Sequence, residues 1–254
     1  MAAYNSQETI ADSVRSVQAQ TFLDWELIVV DDASTDDTGA AMKPFLEDTR
    51  IRYVRAQVNA GAGAARNIAA SLANGRFYAI LDADDISLPR RFELQLAAFS
   101  ADPALSVVGS QLAEFGAWGG PEDSAWATDP ILISAQLERG KMSIAHGSTI
   151  IRREDFHEVG GYDEDCPRAE DFALMRKLRK KKMIALPEVL LHYRTNRPIT
   201  LAYVIASGRS GKLAKVKTRS KNPKPNAKLM SFPRSALVDA RSIATWARRW
   251  GSQL

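Results

Sequence analysis

Three carboxylates fall within four residues at Asp82-Ala83-Asp84-Asp85, directly after the apolar run Phe77-Tyr78-Ala79-Ile80-Leu81. Like charges this close repel one another, and a cation at the site relieves that cost. Hard carboxylate oxygens suit Mg²⁺ or Mn²⁺, ions that also bridge phosphates. Turn and helix-cap chemistry is the other use of Asp in such a place. A second acidic pair, Asp31-Asp32, follows the apolar run Leu27-Ile28-Val29-Val30. An Asp there can accept a hydrogen bond from a base N–H or a ribose hydroxyl. It can equally serve a strand-to-helix turn capped by Ser34 or Thr35. Gly61-Ala62-Gly63-Ala64-Ala65-Arg66-Asn67 supplies small residues for close backbone approach and an arginine able to pair with a phosphate. It lacks the third glycine of a dinucleotide fingerprint, and no P-loop spacing occurs. Glu170-Asp171 opens an amphipathic stretch, where acidic residues suit a helix N-terminus.

These groups need elements to hold them. Residues 6–20 carry Ile10, Val14 and Val17 at helical spacing, with Ser6 as the expected N-cap. Strands are expected over 26–30, 51–54 and 77–81. Helices are expected over 36–47, 62–74 (with Gly75 as the stop) and from Pro89 onward. Strands alternating with helices imply βαβ units, a mostly parallel sheet and right-handed crossovers. Ligands bind such sheets at the carboxyl ends of the strands, and both acidic clusters fall at such ends. Short strands over 107–110 and 148–151 flank a loop-rich stretch with Trp118 and Trp126, and a helix over 169–182 follows.

The chain has 254 residues, 45% of them hydrophobic, enough for one α/β domain and an appendage. No apolar run reaches membrane-spanning length, and no signal-peptide pattern opens the chain. The single cysteine, Cys166, excludes an internal disulfide and reads as an incidental loop thiol of a reducing cytoplasm. Residues 1–200 hold 22 Lys and Arg against 29 Asp and Glu, whereas residues 201–254 hold 12 against one. The basic character therefore belongs to the tail, and no nucleic-acid partner is expected for the domain.

In order and spacing these elements resemble the family 2 glycosyltransferases. The likeness rests on Tyr4-Asn5, Gln20-Thr21-Phe22, Val30-Asp31-Asp32-Ala33-Ser34-Thr35-Asp36, Asn59-x-Gly61-x-x-x-Ala65-Arg66-Asn67 and Leu81-Asp82-Ala83-Asp84-Asp85. Its second half rests on His146-Gly147-Ser148, Gly160-Gly161-Tyr162-Asp163-Glu164, Glu170-Asp171 and Tyr193-Arg194. The resemblance implies an α/β domain of the GT-A fold over residues 1–200, followed by a basic linker over 201–232 and an amphipathic helix over 233–254.

It also implies roles. Tyr4 and Asp32 would hold the nucleotide base, Arg66 would sit near the base or diphosphate, and Asp82 would contact the ribose. Asp84 would hold Mn²⁺ or Mg²⁺. Asp171 would be the general base for an in-line attack that inverts the anomeric centre, with His146 and Glu170 on the acceptor side. The donor would be a nucleotide-diphosphate sugar, with uridine favoured. The acceptor would be a glycan, a lipid-linked sugar or a protein. His192 reads as a structural strand cap. Two rivals stand beside this reading: a sugar-nucleotide pyrophosphorylase, whose Gly-rich loop with Arg and Lys is not seen, and a catalytically inactive partner subunit that binds a nucleotide or glycan.

Two departures bear on these expectations. Where many members carry a His after the Tyr-Arg pair, this chain has Asn196. Only Met1-Ala2-Ala3 precede Tyr4, where the family has a central apolar strand, so the chain is expected to begin late. In the tail, Lys212, Lys215, Lys217, Arg219, Lys221, Lys224 and Lys228 precede Trp246 and Trp250. Basic residues with aromatics suit an anionic membrane surface, so a cytoplasmic protein peripheral to the membrane is expected. A solvated linker with a helix packed on the domain is the alternative.

Overall fold

The structure is a computed structural model that describes residues 1–117, 123–166, 168–195, 211, 212, 214 and 215. Among the described residues, eight strands form two sheets. The first holds β1 (Ala2–Ala3), β2 (Leu27–Asp31) and β3 (Ile51–Arg55), all parallel. The second has the order β4 (Phe77–Ala79), β7 (Ile150–Arg152), β6 (Leu105–Phe115), β8 (Lys182–Arg194), β5 (Ile86–Ser87). Parallel pairing holds throughout the first sheet and between β6 and β8. The remaining pairs of the second sheet are antiparallel, so it is mixed. The connections from β5 to β6, β6 to β7 and β7 to β8 each carry a helix, whereas β4 and β5, close in sequence, lie at opposite ends of this sheet.

Among the described residues, seven α-helices flank the sheets. Alternation along the strands sorts side chains between two cores. Val108 and Ile150 join α1 (Ile10–Gln18) and α4 (Arg91–Ala101) on one side. Val107, Ile151 and Tyr78 join α5 (Pro130–Glu138), α6 (Arg153–Glu158) and α7 (Glu170–Leu178) on the other. Helix α3 (Ala62–Leu72) packs Ala65 on Ile28 and Val30 of β2. The short α2 (Thr38–Met42) yields to a 3₁₀ turn at Lys43–Phe45, where Pro44 removes a helical N–H.

Several boundaries differ from the sequence reading. Helix α1 begins at Ile10, not Ser6. The Ser6 N–H instead donates to Thr38 Oγ1 at 2.8 Å, and its carbonyl accepts from Thr9 and Ile10. Helix α7 ends at Leu178, and Lys182 already belongs to the long strand β8. Within the expected linker, Gly211, Lys212, Ala214 and Lys215 are helical, and Ala214 is buried beside Cys166, Ala169 and Ala173. Cys166 is thus a packed core thiol and not an incidental loop residue. His192 lies inside β8 with its ring 6.0 Å from that of Phe115, so it caps no strand end. Asn196, Trp118, the rest of the basic linker and the expected C-terminal helix lie outside the described residues.

β1 pairs with β2, and β4 ends the other sheet. A cavity of about 800 Å³ lies between them, lined by Met1, Trp25, Ile28, Phe77, Leu81 and Phe99. Ile80 N–H donates to Thr149 O on the β7 side, so alternate amides of β4 turn toward the cavity. Hydrogen exchange should read this directly: the Phe77 and Ala79 amides should exchange far faster than those of Tyr78 and Ile80. Equal protection of all four would show that the edge is covered.

Candidate active site

Two loops at the carboxyl ends of β1 and β2 are zipped together by side chains. Asn5, at φ 49°, accepts from the Thr35 N–H at 2.8 Å, and its own N–H donates to Ser34 Oγ at 2.9 Å. Asn tolerates this left-handed backbone because its short amide can bond locally. Asp37 N–H donates to Gln7 Oε1 at 2.9 Å. The clasp leaves Tyr4 nearly half exposed at the rim. Asp31 and Asp32 are both buried and differ in task. Asp31 accepts from Ser34 N–H at 2.8 Å and from the Tyr53 hydroxyl. Asp32 spreads its two oxygens over the Ala60 and Gly61 N–H groups at 2.8 and 2.7 Å. It thereby fixes the loop entering α3, where Gly61 takes φ 92°.

Helix α3 aims Arg66 at the acidic cluster. Its guanidinium bonds Asp82 at 2.6 Å and Glu170 at 3.1 Å, and only a tenth of the side chain is exposed. Asp82 and Arg66 hold each other charged: Asp82 lies below the usual carboxylate range and Arg66 above its ordinary value. Close packing of α3 on α7 is possible because residue 63 is glycine; a Cβ there would lie 3.2 Å from Glu170 Cβ. Asn67, next on the helix, bonds both the N–H and the carbonyl of Tyr162.

The three carboxylates after β4 diverge. Asp82 faces Arg66. Asp84 is exposed, and its carbonyl accepts from Arg194 Nε at 2.7 Å. Asp85 is fully buried, with one oxygen bonded to the Arg194 N–H and, among the described residues, no hydrogen-bond partner for Oδ2. Burial and the charges of Asp82 and Asp84 push its carboxyl well up. A hard divalent cation fits this donor set, since it would relieve the repulsion and take oxygen ligands. Among the described residues no three His, Cys, Asp or Glu converge as a complete cage. Any such ion would need further oxygens, as a diphosphate provides.

Asp171 lies in the first turn of α7, half-buried, with Oδ1 bonded to the Phe172 N–H at 2.6 Å. Burial raises its pKa, which makes the carboxylate a better proton acceptor. His146, in the turn before β7, is buried with Nε2 at 2.8 Å from the Tyr162 hydroxyl. Burial and the nearby Arg66 push its pKa down to about 3. The sign follows: between pH 6.5 and 3 the unfolded chain takes a proton that the folded one refuses, so stability falls with pH in that window. At pH 5 this should cost about 2 kcal/mol. Urea melts of His146→Gln should show a shallower fall than the parent between pH 7 and 5; parallel curves would refute the assignment.

The structure thus brings Arg66, Asp82, Glu170, His146 and Asp171 into one electrostatic neighbourhood. Tyr4 and Asp32 belong to the adjoining loops. Tyr162 and Asn67 lie in the Gly160–Glu164 and Asn59–Asn67 stretches, yet residue type and spacing there do not announce their working roles. The same holds for Arg91 and Gln95. Fully buried Arg91 bonds the Ile80 and Thr149 carbonyls, and Gln95 bonds those of Val108 and Ser148. A charged residue two positions after Pro89 carries no signal of burial.

The model of glycosyl transferase family 2 matches residues 1–160. The chain belongs to that family. One curated relative, the Escherichia coli UDP-Glc:alpha-D-GlcNAc-diphosphoundecaprenol beta-1,3-glucosyltransferase WfgD, is 42% identical over 97 residues, covering 38% of each chain. Among solved structures, S. aureus TarS 1-349 in complex with UDP-GlcNAc superposes with a TM-score of 0.68 at 20% identity, over 85% of this chain and 64% of that one. The Pyrobaculum calidifontis mannosyltransferase PcManGT, in complex with GDP-Man and Mn²⁺, gives 0.65 at 22% identity, over 88% and 64%. The family 2 chain therefore has the GT-A fold, and it spans less than two thirds of the length of each of these relatives. No helix among its described residues is long and apolar enough to cross a membrane.

Proposed function

We propose that this chain transfers a sugar from a nucleotide diphosphate, a uridine one, to an acceptor hydroxyl with inversion. The observation that carries this is the Arg66 bridge. It ties the carboxylate after the donor-side strand, Asp82, to Glu170, the neighbour of the basic carboxylate Asp171. One arginine thereby sets the spacing between a diphosphate-binding side and a proton-accepting side.

On this reading Tyr4 stacks at the base, Asp32 fixes the loop beneath it, and Asp82 meets the ribose. Asp84 would hold the divalent ion, which when bound would supply positive charge to the departing diphosphate. Asp171 takes the proton from the acceptor hydroxyl as its oxygen bonds the anomeric carbon. The bond from that carbon to the phosphate oxygen breaks, and its electron pair leaves with the nucleotide diphosphate. A single in-line displacement inverts the centre. The relatives' names favour a lipid-linked or polysaccharide acceptor. A cytoplasmic site at the membrane face fits such an acceptor and the basic tail. Co-sedimentation with anionic vesicles should require residues 207–254, and equal pelleting without them would reject that part.

Stereochemistry is the specific check. With an α-linked sugar nucleotide, proton NMR of the product should show a β linkage. An α product would require a second displacement and would remove the assigned role of Asp171.

A further inference from the structure

Two tyrosine–histidine pairs in this chain look alike and differ by one hydrogen bond. The Tyr78 hydroxyl lies 2.8 Å from His157 Nε2, and the Tyr162 hydroxyl lies 2.8 Å from His146 Nε2. Tyr78 already gives its proton to the Ala70 carbonyl at 3.1 Å. His157 must then donate through Nε2–H. Among the described residues Tyr162 has no second acceptor, and it is only 3% exposed. A buried O–H left unbonded costs on the order of 1–3 kcal/mol. Its proton therefore goes to His146 Nε2, and the neutral ring carries its own proton on Nδ1. Among the described residues Nδ1 has no hydrogen-bond partner, and the residue keeps 7% exposure. The charged groups around this ring are Arg66 and Asp82; the Arg66 guanidinium carbon lies 5.5 Å from the Tyr162 ring centre.

We propose that Tyr162 is a positioning residue that fixes His146 as an Nδ1–H donor, and that this N–H holds an oxygen of the bound substrate beside Arg66 and Asp82. The first half stands on geometry alone. The second half rests on the glycosyl-transfer reading. A ring that stays neutral remains the same donor throughout the working pH range, whereas an exposed imidazole changes charge there.

The test uses the full chain labelled with ¹⁵N-histidine and long-range ¹H–¹⁵N correlation near pH 7.5. His146→Gln assigns the signal. His146 should show a bare Nε2 and a protonated Nδ1, while His157 in the same spectrum shows the reverse. Tyr162→Phe keeps the ring packed on Phe156 and removes the hydroxyl. His146 should then move to the Nε2–H form, and kcat/KM for the sugar nucleotide should fall roughly three- to tenfold, the worth of one hydrogen bond. An Nε2–H tautomer in the parent, or no tautomer change in Tyr162→Phe, overturns the positioning role. A changed tautomer with unchanged kcat/KM overturns the substrate contact alone. If no sugar nucleotide is turned over, the substrate contact falls with the transfer reading while the tautomer result stands.

Discussion

Asp171→Asn should lower kcat by about 10²- to 10⁴-fold, the usual worth of a positioned general base, while leaving the fold intact. The expectation of an intact fold comes from the contacts. The carboxylate's hydrogen bond goes to the adjacent Phe172 N–H, and an amide oxygen can still accept it. Burial, the largest influence, raises its pKa, with the Glu170 charge adding to it. The acid limb of kcat/KM should therefore lie above the ordinary carboxylate range, and activity should disappear as pH falls through it. Single-turnover kinetics with saturating donor would separate the chemical step from binding. Turnover in Asp171→Asn within tenfold of the parent would remove Asp171 as the base.

The second large effect is on stability. Arg66→Met deletes the shared cation and leaves Asp82 and Glu170 as partly buried charges without it. Removing one partner of a buried ionic network costs about 3–5 kcal/mol because the remaining charges stay desolvated. Urea denaturation should show that loss. The double variant Arg66→Met/Glu170→Gln should recover part of it, since one stranded charge is then neutral. A midpoint within experimental error of the parent would show that water already screens the bridge. The donor KM should rise as well, because Arg66 holds the Asp82 carboxylate in place.

The fold class was legible in the sequence. Runs such as Leu27–Val30 and Phe77–Leu81 are short, apolar and closed by Asp; the structure buries the first as strand β2, but β4 ends at the exposed Ala79, and Ile80 and Leu81 are buried beyond it without strand pairing. The GT-A expectation followed from the order of such pieces. What stayed hidden was mostly non-local. The Arg66–Glu170 bridge joins positions 104 residues apart, and no periodicity encodes it. Strand β8 contains Pro187 and pairs with β6 through bulges, so its pattern breaks where a regular strand would alternate. The run Lys180–Lys182 after α7 reads as a helix end, yet its last residue starts β8. Ser6 fits an N-cap by type, but its hydroxyl donates to the Tyr4 carbonyl at 3.3 Å and α1 starts only at Ile10. Asp32 was expected to face a ligand, and its oxygens also organise the Ala60–Gly61 backbone, a use that residue type alone cannot announce.

The most direct test of the account is nucleotide release from UDP-, GDP- and dTDP-sugars by the 254-residue chain, with Mn²⁺, Mg²⁺ or EDTA. Release from a UDP-sugar should require a divalent ion, be abolished by EDTA and be lost in Asp84→Asn. Release that persists in EDTA, or in Asp84→Asn, would contradict the assigned metal site, and no release from any donor would contradict the proposed transfer itself.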